Sequence, residues 1–259
     1  MSWLSRLRRR PGAADPMEEA LSAFRRGEHA VALSLWEPMA RAGDARAQAN
    51  IGACFAEGIG VAADPPLAVR WLIASAEAGY APAQRNLATL FLNGARDVEP
   101  DPARAATLYR QAAEQGDAPS QDMLSWMLLE GELIPADPVA ARHWSEAAAR
   151  AGIASSMTRL GMIHHHALGV ERDPAEAARW WRSGALAGDA DGQAMLGASL
   201  HLGAGTVHDP VAALAWLLRA EAGGSALARP FLATARAALD EAGRTEAQRR
   251  AARPLDAAP

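Results

Sequence analysis

Between residues 45 and 224 apolar side chains return three and four positions apart, the period of an amphipathic helix. Asp-Pro and glycine interrupt that period at regular places. In residues 137–152 Asp-Pro opens a helix, Ala141 and Trp144 follow on one face, and Gly152 closes it; Leu160 lies eight residues on, inside the next helix. The same frame reads Asp64-Ala68-Trp71-Gly79-Leu87, Asp101-Ala105-Leu108-Gly116-Leu124, Asp173-Ala177-Trp180-Gly188-Leu196 and Asp209-Ala213-Trp216-Gly224. Asp and Gly are fifteen residues apart in all five copies, a self-similarity that marks a repeat architecture.

Each repeat predicts two helices. Helix A, reading Ala-x-small-Gln-x-x-Leu-small in its clearest copies, is expected near 45–57, 81–93, 118–130, 154–167 and 190–202. Helix B, opened by Asp-Pro, is expected near 64–78, 101–115, 137–151, 173–187 and 209–222. Asp at the N-cap accepts a bond from free helix N–H groups, and proline in the first turn has no N–H to leave unpaired. Glycine after helix B supplies the left-handed stop. Ala four and Trp seven residues after Asp share a face, which places Trp71, Trp144, Trp180 and Trp216 in the core. A small residue after the signature Leu lets helix A lie close to helix B. The one-residue insertion between Leu87 and Asp101 falls in a loop, where length is cheap.

A degenerate hairpin is expected over 15–42 and a capping helix over 226–239, with Pro230 delaying or kinking its start. The organisation is thus a basic, disordered tail (1–14), a repeat array (15–239), and a charged, frayed helix with a disordered end (240–259). The fold class is all-α: a right-handed α-α superhelix, or solenoid, of helix-turn-helix repeats of about 36 residues.

Composition narrows the function. The net charge of −4 lacks the basic footprint of nucleic-acid binding, and the one cysteine, Cys54, can form no internal disulfide. No run is long enough for a membrane-spanning helix, so a cytoplasmic protein is expected. Trp3, Leu4 and Leu7 beside Arg6, Arg8, Arg9 and Arg10 suggest either a solvated tail or a weak membrane-surface contact through residues 1–10.

The ensemble of A-x-A-Q-x-x-L-G, a G-x-G-V loop and D-P-x-x-A-x-x-W-x-x-x-A-A-x-x-G resembles the Sel-one-like repeat (SLR) family, a relative of tetratricopeptide repeats, over about residues 44–224. Leu108 stands where Trp is usual, and His164 and Leu200 where helix A usually has an aromatic residue. The resemblance implies a non-enzymatic adaptor that binds a protein or peptide in a concave groove, in bacterial signalling, envelope or secretion pathways, with no cofactor.

By the same analogy the groove positions lie five and two before, and two, five and six after, the signature Leu. Arg85, Leu92, Trp126, Leu129, Met162, His165 and His201 are the candidate contacts. Trp126 could equally tuck sideways between A helices as core. His165, His166 and His201 suggest a metal-dependent hydrolytic protein, but consecutive helical residues point about 100° apart and cannot converge on one ion. His164 fits the aromatic core slot. Cys54, beside Phe55 on a core-facing turn, has no base placed near it by the pattern.

Overall fold

The computed structural model describes residues 15–255; the tail containing Trp3 to Arg10 lies outside them. The described residues form fourteen α-helices and a short 3₁₀ turn, with no strand. A first hairpin, α1 (Pro16–Arg25) and α2 (His29–Arg41), precedes five repeats. Their A helices are α3 (Ala45–Glu57), α5 (Ala81–Asn93), α7 (Ala118–Glu130), α9 (Ala154–His166) and α11 (Ala190–Leu202). Their B helices are α4 (Pro65–Glu77), α6 (Pro102–Glu114), α8 (Pro138–Arg150), α10 (Pro174–Leu186) and α12 (Pro210–Ala222). After the 3₁₀ turn come α13 (Arg229–Ala237) and α14 (Glu241–Ala252).

The ends of the B helices follow from the punctuation. Asp64, Asp101, Asp137, Asp173 and Asp209 each accept a backbone N–H of the first turn through the side chain. Their own N–H groups donate to the carbonyls of Phe55, Phe91, Leu128, His164 and Leu200, always four residues past the signature apolar residue of helix A. The Asp therefore starts helix B and ties it to helix A of the same hairpin. At the other end Gly152 takes a φ of 91°. The turn lets Ile153 N–H reach back to Ala148 O at 3.0 Å. The inserted residue near Asp101 is absorbed in an exposed turn in which Ala95 and Val98 exchange backbone bonds.

The residue that seals each hairpin is the one after the signature Trp. Leu72, Tyr109, Ser145, Trp181 and Leu217 are almost completely buried, whereas Trp71, Trp144, Trp180 and Trp216 are half-buried and flank the core. The signature Trp, expected in the core, stands at its edge: Trp71, Trp180 and Trp216 pack partly buried against core clusters. Opposite Leu72, Ser145, Trp181 and Leu217 stands the small residue that follows the signature apolar position. A Cβ on Gly52 would lie 2.7 Å from Leu72 Cγ, on Gly161 2.3 Å from Trp181 Cδ1, and on Gly197 2.8 Å from Leu217 Cγ. In the third repeat Ser125 and Ser145 satisfy one another by a hydrogen bond, and in the second the Tyr109 hydroxyl pairs with Thr89 Oγ1 at 2.9 Å.

The described residues divide into two compact units, 15–115 and 116–255. In unit 1 the core runs through α1, α2 and α3, with Trp36, Ile51 and Cys54 buried and Trp71 against them. In unit 2 three clusters follow one another: Leu160 and Ile163, then Trp181, Leu196 and Leu200, then Leu214, Leu217 and Leu232. The segment after Asp240, expected to fray, is a continuous helix lying on α12, with Ala247 fully buried. Asp240 caps it by accepting Gly243 N–H at 2.8 Å.

Candidate partner-binding face

Within each unit, neighbouring A helices touch side by side (α3 with α5; α7 with α9; α9 with α11), while the B helices of successive repeats stand further apart. Packing one layer more closely than the other curves a stack towards the closer layer. The A helices therefore line the inner side of each unit.

The five register positions expected to face that inner side separate by burial. The position two before the signature residue sinks between A helices: Ala49, Thr158 and Ala194 are buried, and Arg85 and Asp122 half-buried. The position six after it is exposed throughout, as at Glu57, Asn93, Glu130, His166 and Leu202. The position five after it is half-buried throughout, and the position two after it varies from the buried Ala198 to the exposed Thr89.

Arg85 and Leu92 both sit on α5 of unit 1 and are half-buried. In unit 2, Trp126 is half-buried on α7, and its ring meets no other aromatic ring among the described residues. Leu129 packs one side against Leu160 and Ile163, and Met162 packs against the cluster of Trp181 and Leu196. His165 leans on the Trp181 ring, with centroids 5.3 Å apart, and meets His166 edge-on at 4.7 Å. Burial, then the neighbouring His166 and Arg172, hold the His165 imidazole below its ordinary pKa. His201, the equivalent residue on α11, is half-buried with Nδ1 enclosed and unbonded among the described residues.

Several polar residues expected at the inner face instead join adjacent repeats. Asp122 on α7 accepts from Ser155, Ser156 and Arg159 on α9, the Arg159 nitrogen at 2.6 Å. Burial works against the Asp122 carboxylate, but the Arg159 charge and the hydroxyl donors outweigh it and hold its pKa below the usual value. Thr158 donates to Asp189 at 2.6 Å, and Ser225 to Asp191 at 2.5 Å. The signature glutamines also act across repeats: Gln48, Gln84 and Gln193 donate to the carbonyls of Ala40, Ala76 and Ala185 in the preceding B helix. Those carbonyls lie in the last turn, where helices have acceptors to spare.

Five consecutive stretches, residues 45–80, 81–117, 118–153, 154–189 and 190–225, match the Sel1 repeat. The chain belongs to the Sel1 repeat family. Each Sel1 repeat begins at the first residue of an A helix, so the sequence unit and the A–B hairpin coincide. The family generally mediates protein–protein interaction. Among solved structures the chain is similar to c5321, a protective antigen of uropathogenic Escherichia coli with an SLR fold, at a TM-score of 0.84 and 26% identity. That match covers 91% of this chain and 51% of c5321, so this chain spans about half the length of that relative. It is also similar in fold to a Sel1 repeat protein from Oxalobacter formigenes, at a TM-score of 0.81 and 23% identity, covering 95% of this chain and 100% of the other. No curated protein matches the chain.

In this Sel1 array the histidines are separated by what they pack against. His164 is half-buried at the register position where Phe91, Leu128 and Leu200 are buried, while His166 is exposed. Among the described residues no three His, Cys, Asp or Glu side chains are grouped as a metal ion requires. Cys54 is buried, and burial, aided by the Glu57 charge, pushes its thiol pKa up to about 11, so it is protonated at neutral pH. No helix of the described residues is long and apolar enough to cross a membrane.

Proposed function

We propose that this Sel1 protein is a non-enzymatic scaffold that holds a protein or peptide segment against the A-helix layer. Trp126, Leu129, Met162, His165 and His201 are the proposed contacts of unit 2, and Arg85 and Leu92 those of unit 1. The single observation that carries this reading is Trp126, a large half-buried ring on the inner layer of its unit. Such a ring can bury much additional apolar surface on association, and Trp is enriched among residues that dominate binding energy. Leu129 and Met162 add apolar surface while their inner sides are held by the core. One similar solved structure, c5321, is from a bacterium, and a bacterial signalling, envelope or secretion assembly is the setting proposed.

Affinity purification with the wild type, Trp126→Ala and Trp126→Ala/Met162→Ala proteins tests the proposal. Truncating Trp126 should weaken the complex by about 2 kcal/mol, and the double change should abolish recovery of the partner while helicity by circular dichroism stays unchanged. Equal recovery by a folded double variant removes the A-helix face as the site.

A further inference from the structure

We propose that the pocket between α12 and α14 is a second binding site, taking an acidic segment of a protein chain in which a carboxylate neighbours an apolar side chain. It is separate from the A-helix layer, and either site can fail without the other. Elsewhere in unit 2 successive B helices stand apart. Here α14 lies directly on α12, and the space left between them is a pocket of about 420 Å³. One wall is apolar, built around the half-buried Trp216 ring. The rim carries Arg219, Arg249, Arg250 and Arg253 against one carboxylate, Glu246, leaving three positive charges in excess on a protein whose net charge is −4.

The four guanidinium groups have different duties. Arg219 lies over the Trp216 ring, 5.5 Å from its centroid, and donates to the carbonyls of Arg250 and Arg253, fastening the end of α14 to α12. Arg249 and Arg250 both pair with Glu246, so one carboxylate is shared by two cations. Arg253 is exposed and has no ion pair or side-chain hydrogen bond among the described residues. A guanidinium is built for bidentate bonds to a carboxylate; Arg253 offers that fork beside an aromatic wall, and Arg249, whose Nε and one Nη donate to Glu246, adds charge and its remaining N–H groups. The volume suits one or two side chains, and the charge is local, unlike the extended basic surface a nucleic acid needs.

Calorimetric titration with a heptapeptide alternating glutamate and leucine reads the site directly. The peptide should bind, and binding should weaken about tenfold in Arg249→Gln/Arg253→Gln. It should also weaken when salt rises from about 50 to about 300 mM. Neither side chain holds α14 in place: Arg219 bonds the carbonyl of Arg253, and Arg250 remains on Glu246. The variant should therefore unfold at the wild-type temperature, and Arg253→Gln alone gives the same direction if it does not. Unchanged affinity in a folded variant overturns the proposal. So does equal binding of a lysine–leucine or a glutamate–glycine heptapeptide, or displacement of the peptide by an equally tight single-stranded oligonucleotide.

Discussion

At the scale of single residues the hairpins close by matching sizes across one contact. Gly161 admits Trp181, Gly197 admits Leu217, and where neither partner is large, Ser125 and Ser145 bond to each other. Gly161→Ala puts a methyl group 2.3 Å from a rigid indole and should cost about 2 kcal/mol in urea unfolding. The small partner was legible in the sequence, because it recurs beside the signature apolar residue. The large partner was not. Trp71 and Leu72, or Trp180 and Trp181, are adjacent apolar residues that both fit a helical period, and only the actual rotation of helix B shows that the second faces inward.

Charge at this scale also predicts pH behaviour. Asp122 has a lowered pKa in the folded protein, so its contribution is full above the unfolded value, about 4, and is lost as pH falls through the folded value. Asp122→Asn should cost about 2 kcal/mol at pH 7, less than a fully buried pair, and should flatten the acid limb of stability below about pH 4. The His165 pKa is lowered too, so the unfolded chain takes up that proton first, and stability should begin to fall below about pH 6.5. His165→Gln should remove that early part of the decline, read by urea titrations across the range.

At the scale of helices and loops, successive repeats are held by contacts that local patterns do not display. The loop glycines were visible in the sequence only as breakers. In the fold Gly205 lies against the start of α10, where a Cβ would come within 1.9 Å of the Pro174 carbonyl oxygen, and its φ is 72°. Gly205→Ala therefore meets backbone on two counts and should cost about 3 kcal/mol. The attachment of the final helix is hidden from the sequence for a related reason. The charged surface of α14 gives little amphipathic signal, because its attachment depends on one buried alanine, Ala247, and on carbonyls that accept from Arg219. Ending the chain at Leu239 should speed amide exchange in α12 while leaving exchange in α3 unchanged, since repeat arrays are stabilised between nearest neighbours.

At the scale of the whole molecule the five Sel1 hairpins use one set of positions to build the stack and leave another free to vary. The polar residues two before the signature position are expected in the groove by analogy with related repeats. In the third and fourth repeats they instead join the next repeat: Asp122 pairs with Arg159, and Thr158 bonds Asp189. The proposed contacts on the inner layer of unit 2 centre on Trp126 and Met162, with His165 on the same helix as Met162. Hydroxyl-radical footprinting of the protein alone and with its captured partner reads those side chains directly, since all three oxidise readily. The account predicts that Trp126, Met162 and His165 become protected in the complex while the B-helix residues Trp144 and Trp180 oxidise as before. Protection of Trp144 and Trp180, with Trp126 and Met162 oxidised as in the free protein, would contradict it.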